Sequence, residues 1–506
     1  GTASTMLQWG DDAANVIAGG GCDYIAFQGS GVLSQRLIRC ENSGDLAFNS
    51  CKIDLGVATL MQCGKVGDGG YVSNIHWSNL TGRCPNIAAP LFVLTNGSGF
   101  FITGSLFYNE AYQGGGSAVD GRYGVFVYNS WNTISIKSTF TFLFDIMLYA
   151  HMQNGMSCGD VHLESCYFDE TNAGVWLTAL PGGAIGNVSI LNVETTGKKG
   201  DAIRVDGGGT FTRVDIHGCP LREMKKNGIA FYSPVQLAIL SGNTISQVNE
   251  PCRFTGSING TILTVSDRTG HPGGTIAVGD YITGSGVATG TVVTGLLTGK
   301  GLNGAYTVNI SQTVSSRNMA TASGSYSALY MASGQNTVIL DGNNFGANSL
   351  QMGEGVGSYG VRIDGCTNLK ESNNAAGGAI AAWSVSNLGP SSSFENFWLS
   401  FTPSISASGG GSMAGASASG VYQRNGATVK YALNGQSLGN GIQFIVASLP
   451  VPPATGVPTM GVAQQNGVLC SATAGPSGVT IVKYDGGATA NVNGWFQASG
   501  EYRAAA

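Results

Sequence analysis

Two stretches of sequence decide the fold: residues 173–190 read AGVWLTALPGGAIGNVSI, and residues 201–216 read DAIRVDGGGTFTRVDI. Each stretch contains two short segments in which apolar residues alternate with others, as in Val175-Trp176-Leu177 and Val188-Ser189-Ile190. Glycines lie between the two segments. Alternation over so few residues is typical of short β-strands that bury one face.

The two segments recur along the chain with a period of about 25 residues. The first segment, strand a, begins at Val125, Leu148, Val175, Ile203 and Ile229, and the second, strand b, begins at Ile134, Val161, Val188, Val214 and Ala238. One repeat of this size cannot bury its apolar face alone, so stacked repeats must share a core. The sequence therefore predicts an all-β chain built on a right-handed parallel β-helix, a solenoid.

An insertion interrupts the repeats without changing their register. After Ile229 and Ala238, strand a next begins at Leu329 and strand b at Val338, and both steps are 100 residues long. One repeat accounts for about 25 of these residues. We therefore predict that residues 253–325 form a small inserted β module.

The other domain boundaries follow from the repeats and from composition. The β-helix is predicted at residues 1–252 and, after the inserted module, at residues 326–373. Gly, Ser and Ala dominate residues 374–420, which indicates a neck or linker. An alternating pattern resumes at Val421, so residues 421–506 are predicted to form a C-terminal antiparallel β domain of the jelly-roll kind.

Composition and charge exclude several classes of protein. Charged residues make up 10% of the chain and the net charge is −5 with only 24 Lys and Arg, so binding to nucleic acid or to an anionic membrane has no electrostatic support. The longest apolar stretch, residues 140–150, is too short to span a membrane. The 11 Cys include no paired CxxC motifs, and we expect neither a metal nor a cofactor. Cys51, Cys166 and Cys219 recur at one inward position after strand b, where they act as small apolar side chains.

The order of these domains resembles that of bacteriophage tailspikes with polysaccharide-depolymerase activity. The stretch from Tyr431 to Pro450 resembles the terminal β domain of such spikes, which implies that residues 421–506 serve trimerisation or carbohydrate binding. The resemblance implies a homotrimer on the phage virion that acts at the bacterial cell surface. Its partner would be a bacterial surface polysaccharide: a capsule, an O-antigen or an exopolysaccharide. In tailspikes a virion-attachment domain precedes the β-helix. Because this chain begins at Gly1, we expect a missing N-terminal segment that attaches to the phage tail.

Between its buried positions, strand a directs side chains outward, and these form a ladder rich in aromatic rings. An apolar ring face suits the C–H face of a sugar. We therefore predict that the ladder binds the glycan through Phe126, Tyr149, His151, Trp176, Arg204 and Tyr232. The alternative is that this face packs against the sister chains of a trimer.

Carboxylates recur in the turns that lead back toward this ladder. Glycoside hydrolysis needs two carboxyl groups, about 5–5.5 Å apart for retention or roughly 6.5–9.5 Å apart for inversion. Neighbouring or alternate coils, stacked about 4.8 Å apart, offer both distances. The predicted catalytic residues are Asp169, Glu170, Asp206 and Glu223, and the polar residues of strand b form a second candidate row: His162, Glu164, Asp215 and His217.

Three functions stay open on the sequence. The leading expectation is an endo-acting glycoside hydrolase with paired carboxylates. A polysaccharide lyase would need a base and a cation near a uronic acid, and the candidates are Tyr149, His151, Lys198, Lys199 and Arg204. A binding-only spike would hold the glycan without cutting it.

Overall fold

The structure is a computed structural model that describes most of the chain. The described residues are 5–9, 17–28, 36–64, 70–114, 118–197, 199–246, 248, 252–267, 276–299, 303–322, 326–346, 358–377, 381–389, 391–408, 417–425, 427–437, 444–450, 459–465, 468–475, 478–483 and 494–503.

One part of the chain is a β-helix whose coils contribute strands to three faces. The first face contains the strands a: Thr5–Trp9, Arg36–Cys40, Thr59–Cys63, Ile146–Met152, Ala173–Ala179, Ile203–Asp206, Ile229–Phe231, Tyr326–Met331, Ser358–Ile363 and Ala381–Val385. The second face contains the strands b: Ile17–Asp23, Ser43–Asn49, Val72–Ser78, Ser157–Glu164, Ala184–Leu191, Thr210–His217, Val235–Ser241 and Gln335–Asp341. Two long strands run through both faces, Phe92–Thr103 and Tyr123–Lys137.

The third face is absent from the two-segment repeat seen in the sequence. Its strands are Ala26–Phe27, Lys52–Ile53, Thr81–Cys84, Leu106–Asn109, Phe140–Phe142, Tyr167–Asp169, Glu194–Gly197, Pro220–Met224, Thr244–Ile245, Asn344–Gly346 and Ala375–Gly377. Each is two to five residues long, so each is too short to show a clear alternation. On all three faces, strands of successive coils pair in parallel.

The pairing of the strands confirms the parallel β-helix. On the first face Val125 pairs with Leu148, and the series continues through Val175, Ile203, Ile229, Leu329 and Val361. On the second face the series runs through Ile134, Val161, Val188, Val214, Ala238 and Val338. These side chains are buried, and each Val, Leu and Ile among them contributes about 1.5–3 kcal/mol through removal of apolar area from water.

The chain passes from the second face to the third through a residue with a left-handed backbone. These residues have φ between 48° and 64° and are Tyr24, Ser50, Asn79, Gly104, Ser138, Ser165, Asn192, Gly218, Gly242 and Gly342. Their backbone N–H groups pair with the following coil: Ser165 donates to the Leu191 carbonyl oxygen at 2.9 Å, and Asn192 donates to the His217 carbonyl oxygen at 2.9 Å. The same turn therefore links each coil to the next.

The residue after the left-handed position points into the β-helix. Cys51, Cys166 and Cys219 occupy this position and are buried. Burial raises the pKa of Cys166 and of Cys219 to about 11, so their thiols stay neutral and pack as small apolar groups. In later coils the same position holds Asn243 and Asn343, whose side-chain amides are joined by a hydrogen bond of 2.8 Å.

Four strands between the coils of Ile229 and Leu329 form a separate antiparallel sheet. They are Arg253–Asp267, Tyr281–Gly284, Val293–Leu296 and Gly304–Ala322. The sheet has its own buried cluster, which includes Phe254, Ile258, Leu263, Tyr306 and Val314. Its Asp280 carboxylate lies 3.0 Å from the Lys225 ammonium of the β-helix, and both side chains are 5% exposed.

A second compact unit comprises Thr367–Asn373 and Val385–Ala506. It contains residues 367–372 of the strand Cys366–Ser372 and a nine-stranded antiparallel sheet: Phe394–Phe401, Ile405–Ser408, Ser417–Asn425, Thr428–Ser437, Phe444–Ala447, Thr459–Gln465, Val468–Gly475, Gly478–Lys483 and Gly494–Arg503. The first two of these strands, and the start of the third, lie within residues 374–420, the stretch expected to be a neck. The predicted fold class, an all-β chain with a parallel β-helix and antiparallel sheets elsewhere, is confirmed.

Helices are almost absent. The described residues contain one short helix, Ala111–Gly114. No helical segment among them has the length and apolarity needed to cross a membrane.

Replacing residues 253–325 with a short Gly/Ser turn should leave the β-helix folded. Ile229 and Leu329 are already neighbours across one coil spacing. Removal of the module takes away Asp280, the ion-pair partner of Lys225, but it also exposes the Lys225 ammonium to water. Circular dichroism and the thermal unfolding midpoint of the purified variant measure this. Loss of soluble, β-rich protein would show that the module is required by the core.

Candidate functional site

The first face carries a continuous row of aromatic side chains, which we call the ring track. Its register places Phe126 beside Tyr149, Tyr149 beside Trp176, and Trp176 beside Arg204 on consecutive coils. Ring centroids are 5.4 Å apart for Phe126 and Tyr149 and 5.2 Å apart for Tyr149 and Trp176. The Arg204 guanidinium lies 4.3 Å from the centroid of the Trp176 ring. Four of the predicted glycan-binding side chains thus share one surface.

The ring track continues beyond Arg204. This guanidinium also lies 4.9 Å from the ring of Tyr232, whose centroid is 5.4 Å from that of Tyr330. The Arg362 guanidinium lies 5.4 Å from the Tyr330 ring. From Phe126 to Arg362 the track crosses seven coils, a length of about 29 Å at the usual strand spacing.

Asp206 lies in the middle of the track and is held by three neighbours. Its Oδ1 accepts hydrogen bonds from Trp176 Nε1 at 3.1 Å and from the Thr178 hydroxyl at 2.6 Å. Its Oδ2 accepts one from Arg204 Nε at 2.6 Å. Thr178 and Asp206 are paired in the register of the first face, so the strands themselves fix the carboxylate beside the ring.

A second carboxyl group, which the sequence analysis missed, lies next to Arg204. Asp201 is 1% exposed, and it accepts hydrogen bonds from the Asn227 side-chain amide at 2.8 Å and the Tyr232 hydroxyl at 3.2 Å. Burial raises the pKa of Asp201. Arg204 Nη1 lies 3.9 Å from its Oδ2. Because the same rigid guanidinium contacts both groups, the carboxyls of Asp201 and Asp206 are no more than about 9 Å apart.

Tyr149 and His151 form a polar pair within the track. The Tyr149 hydroxyl lies 3.0 Å from His151 Nδ1. Burial lowers the pKa of His151, an effect that the charge of Asp206 opposes, and burial raises the pKa of Tyr149. At neutral pH both side chains are therefore uncharged, and His151 can accept a proton.

Glu170, which the sequence analysis predicts to be catalytic, is buried inside the β-helix. Its side chain is 0% exposed. Its carboxylate accepts hydrogen bonds from the Thr141 hydroxyl at 2.5 Å and from the Phe144 backbone N–H. The predicted catalytic role of Glu170 is therefore corrected, because its carboxylate does not reach the surface. The two residues follow one another where the chain leaves the third face, and Glu170 is the one that turns inward.

Asp169 and Glu223 lie on the third face, whereas Asp206 lies on the first. On the third face, Arg222 Nη2 lies 2.5 Å from Glu194 Oε1 and donates to the Tyr167 hydroxyl at 3.4 Å. Burial and the charges of Asp169 and Glu194 raise the pKa of the Tyr167 hydroxyl. Partial burial lowers the pKa of Arg222, but nearby charges, among them that of Glu223, raise it overall. Of the four predicted catalytic residues, only Asp206 belongs to the ring track.

The second face carries ion pairs between near neighbours. His162 Nε2 lies 3.2 Å from Glu164 Oε2, and Arg213 Nη2 lies 2.7 Å from Asp215 Oδ2. The register places Arg213 between Asn187 and Leu237 of the adjacent coils. This row is therefore a polar surface without an aromatic platform beside the arginine.

Within the described ranges, no three His, Cys, Asp or Glu side chains are grouped as a metal site requires. Lys198 lies outside the described residues. Lys199 Nζ lies 4.0 Å from Asp120 Oδ1, beside the corner that leads into the first face.

Comparison with known proteins assigns no family to the chain. No protein-family model and no curated protein matches it. Among solved structures, it is similar to the crystal structure of Dettilon tailspike protein (gp208), with 12% sequence identity and a TM-score of 0.45 over 92% of this chain and 88% of that one. That structure is of a tailspike, the kind of protein that the sequence resembles.

One buried carboxyl group near the track gives a pH-dependent prediction. Burial raises the pKa of Asp145 from 3.8 to about 6, against a hydrogen bond from the Gly121 N–H at 2.9 Å. Between about pH 4 and pH 6 the folded chain keeps the Asp145 carboxyl protonated, whereas the unfolded chain has released that proton. The stability from the neutral acid is therefore present below about pH 4 and is lost as the pH rises through about 6.

Asp145→Asn should remove this loss, because the amide stays neutral at every pH. Relative to wild type, the variant should gain on the order of 2–3 kcal/mol between pH 4 and pH 7. Urea unfolding at both pH values measures the difference. Asp54→Asn, at an exposed position, is the matched control and should show no such gain. An equal pH response in both variants would contradict the assignment to Asp145.

Proposed function

We propose that this chain is a tailspike-type protein of a phage virion that binds a bacterial surface polysaccharide along the ring track and hydrolyses it beside Asp206. The observation that carries the proposal is the ring track itself. Partly exposed rings and an ion-paired carboxylate share one surface about 29 Å long. Such rings stack on the C–H faces of sugars, and a carboxylate beside them can act at the anomeric carbon.

The two carboxyl groups around Arg204 have the different environments that hydrolysis uses. Asp206 is ion-paired with Arg204, whereas burial raises the pKa of Asp201 and favours its protonated form. Asp201 does not reach the surface. The Tyr232 hydroxyl, 3.2 Å from Asp201, belongs to a side chain that is 36% exposed and can contact a bound glycan.

The proposed step is a single displacement by water. Asp206 takes a proton from the water molecule, the water oxygen bonds to the anomeric carbon, and the glycosidic C–O bond breaks. The leaving oxygen receives a proton from the Tyr232 hydroxyl, which is replenished by Asp201. Because water attacks the anomeric carbon directly, this step inverts its configuration.

Elimination is the second candidate reaction, and the contact between Tyr149 and His151 favours it. A neutral His151, 3.0 Å from the Tyr149 hydroxyl, could abstract a proton from a uronic acid while Arg204 faces the sugar carboxylate. The two reactions leave different products. A hydrolase releases reducing ends without ultraviolet absorbance, whereas a lyase releases unsaturated uronates that absorb.

Asp206→Asn should lower depolymerisation by roughly 10²-fold or more, the usual size of a general acid–base contribution. A panel of purified bacterial capsules, O-antigens and exopolysaccharides provides the substrates, with reducing ends and ultraviolet absorbance as readouts. Tyr232→Phe should lose cleavage and keep binding, because the ring remains. His151→Ala should abolish activity only if the reaction is elimination.

The matched control is Asp215→Asn. Asp215 forms the same ion pair with an arginine two residues earlier, at 2.8 Å from Arg213 Nε, but on the second face. It should keep full activity. Loss of activity in Asp169→Asn or Glu223→Gln, with Asp206→Asn fully active, would move the active site to the third face. If the wild-type chain binds a polysaccharide of the panel without cleaving it, the chain is a binding-only spike.

We also propose that the chain forms a homotrimer, as the tailspike resemblance implies. Exposed apolar side chains on and next to the third face offer a surface for subunit contacts: Leu106, Tyr112 and Phe140, at 45%, 49% and 47% exposure. Their burial would leave the ring track open to glycan. Light scattering at micromolar concentration should give three times the chain mass, and a monomeric mass would overturn the proposal.

A further inference from the structure

We infer that the ring track contains a second glycan subsite, built from Tyr330, Arg362 and Asp364, three coils beyond the subsite at Trp176. The inference rests on the proposed function and extends it. It assigns the ligand class as an extended polysaccharide segment that lies along the β-helix axis and contacts both subsites at once.

The first subsite has a defined plan. An aromatic residue, Trp176, is paired in register with an arginine of the next coil, Arg204. The guanidinium lies over the ring at 4.3 Å. Its Nε donates to Asp206, two residues further along the strand, and the polar hydrogen of the ring is donated to the same carboxylate. Ring, guanidinium and carboxylate thus fix one another's positions.

The same plan recurs at Tyr330. This residue is paired in register with Arg362, whose guanidinium lies 5.4 Å from the ring centroid. Arg362 Nε donates to Asp364 Oδ1 at 3.0 Å, and the Tyr330 hydroxyl donates to Asp364 Oδ2 at 3.2 Å. In both assemblies the arginine lies one coil after the ring, and the aspartate lies two residues after the arginine. The ring residue and the arginine both donate hydrogen bonds to that aspartate.

An arginine–aspartate pair by itself does not make this plan. Arg213 and Asp215 have the same spacing on the second face, but the register places Arg213 between Asn187 and Leu237. Of these three arginine–aspartate pairs, the two on the first face have a ring platform in register with the arginine. In each of them, a planar donor group and a carboxylate border an aromatic surface, which suits a pyranose with its ring on the platform and its hydroxyls at the edge.

The two subsites lie on one continuous surface. Tyr232 bridges them, with Arg204 at 4.9 Å on one side and Tyr330 at 5.4 Å on the other. Three coil spacings separate Trp176 from Tyr330, roughly 14 Å. One sugar of an extended chain covers about one coil spacing, so a glycan of about four sugars is needed to reach both subsites.

The guanidinium of Arg362 keeps donors for such a ligand. It gives Nε–H and Nη2–H groups to Asp364, and a guanidinium has five N–H groups. The side chain is 35% exposed. A bound sugar can therefore receive hydrogen bonds from Arg362 without breaking the ion pair that orients it.

The test measures affinity against glycan length. The probe is a length-fractionated set of oligosaccharides, released by mild acid from the surface polysaccharide that wild type binds in the panel. Calorimetry is done in the Asp206→Asn background, so that cleavage does not shorten the probe. Affinity should rise in a step near four sugars, by about 5- to 10-fold, the size expected for one added ring platform.

Tyr330→Ala should remove this step and leave the affinity for shorter oligosaccharides unchanged, and Asp364→Asn should weaken it. Trp176→Ala should lower affinity at every length. Tyr281→Ala, which removes an exposed ring of the inserted module, is the control. If Tyr330→Ala keeps the step as the control does, the second subsite is refuted while glycan binding at Trp176 stands. If no panel polysaccharide binds wild type, the proposed function itself fails.

Discussion

The β-helix depends on one backbone conformation that is repeated at the same point of successive coils. After each second-face strand, one residue adopts a left-handed φ, and the chain can then enter the third face. The position is filled by Gly in some coils, but also by Ser50, Ser138 and Ser165, for which this conformation costs roughly 1–2 kcal/mol. The hydrogen bond that each turn makes to the next coil, together with the stacked core, offsets that cost.

This turn also sets where the coil length can vary. Second- and third-face strands are separated by two residues, as by Ser165 and Cys166 between Glu164 and Tyr167. The corner from the third face back to the first has no such restriction. It holds the short helix after Asn109 and the whole inserted module after Ile245. Asp145, Glu170 and Asp201 all lie at this variable corner, beside the constant strands that carry the ring track.

The regular part of the molecule could be predicted from sequence because strand register and core packing repeat. The alternation around Val175 and Val188 gave the correct pairing and the correct outward position of Trp176. The corners could not be predicted in this way. Whether Asp169 or Glu170 turns inward depends on donors such as Thr141, which lies 29 residues earlier in the chain.

The same reason explains the missed residues. Asp201 reads as an ordinary turn residue, and it is buried only because Asn227 and Tyr232 of the next coil cover it. Arg362 lies in an ordinary first-face strand, Ser358–Ile363, and Asp364 follows it. Their relation to Trp176, Arg204 and Asp206 becomes apparent only when the residues that stack on them in the adjacent coil are known.

The insertion between Ile229 and Leu329 has a consequence for biosynthesis. Chains are synthesised at about 5–20 residues per second, so the coil that ends at Ser241 waits on the order of 5–20 s before the strand that pairs with it emerges from the ribosome. During that interval the β-helix presents three unpaired strand edges, Ile229–Phe231, Val235–Ser241 and Thr244–Ile245. An open edge accepts any strand of suitable length. On a polysome, the nearest such strand can belong to a neighbouring nascent chain, so the interval is the point in synthesis at which exchange of coils between chains competes with correct closure.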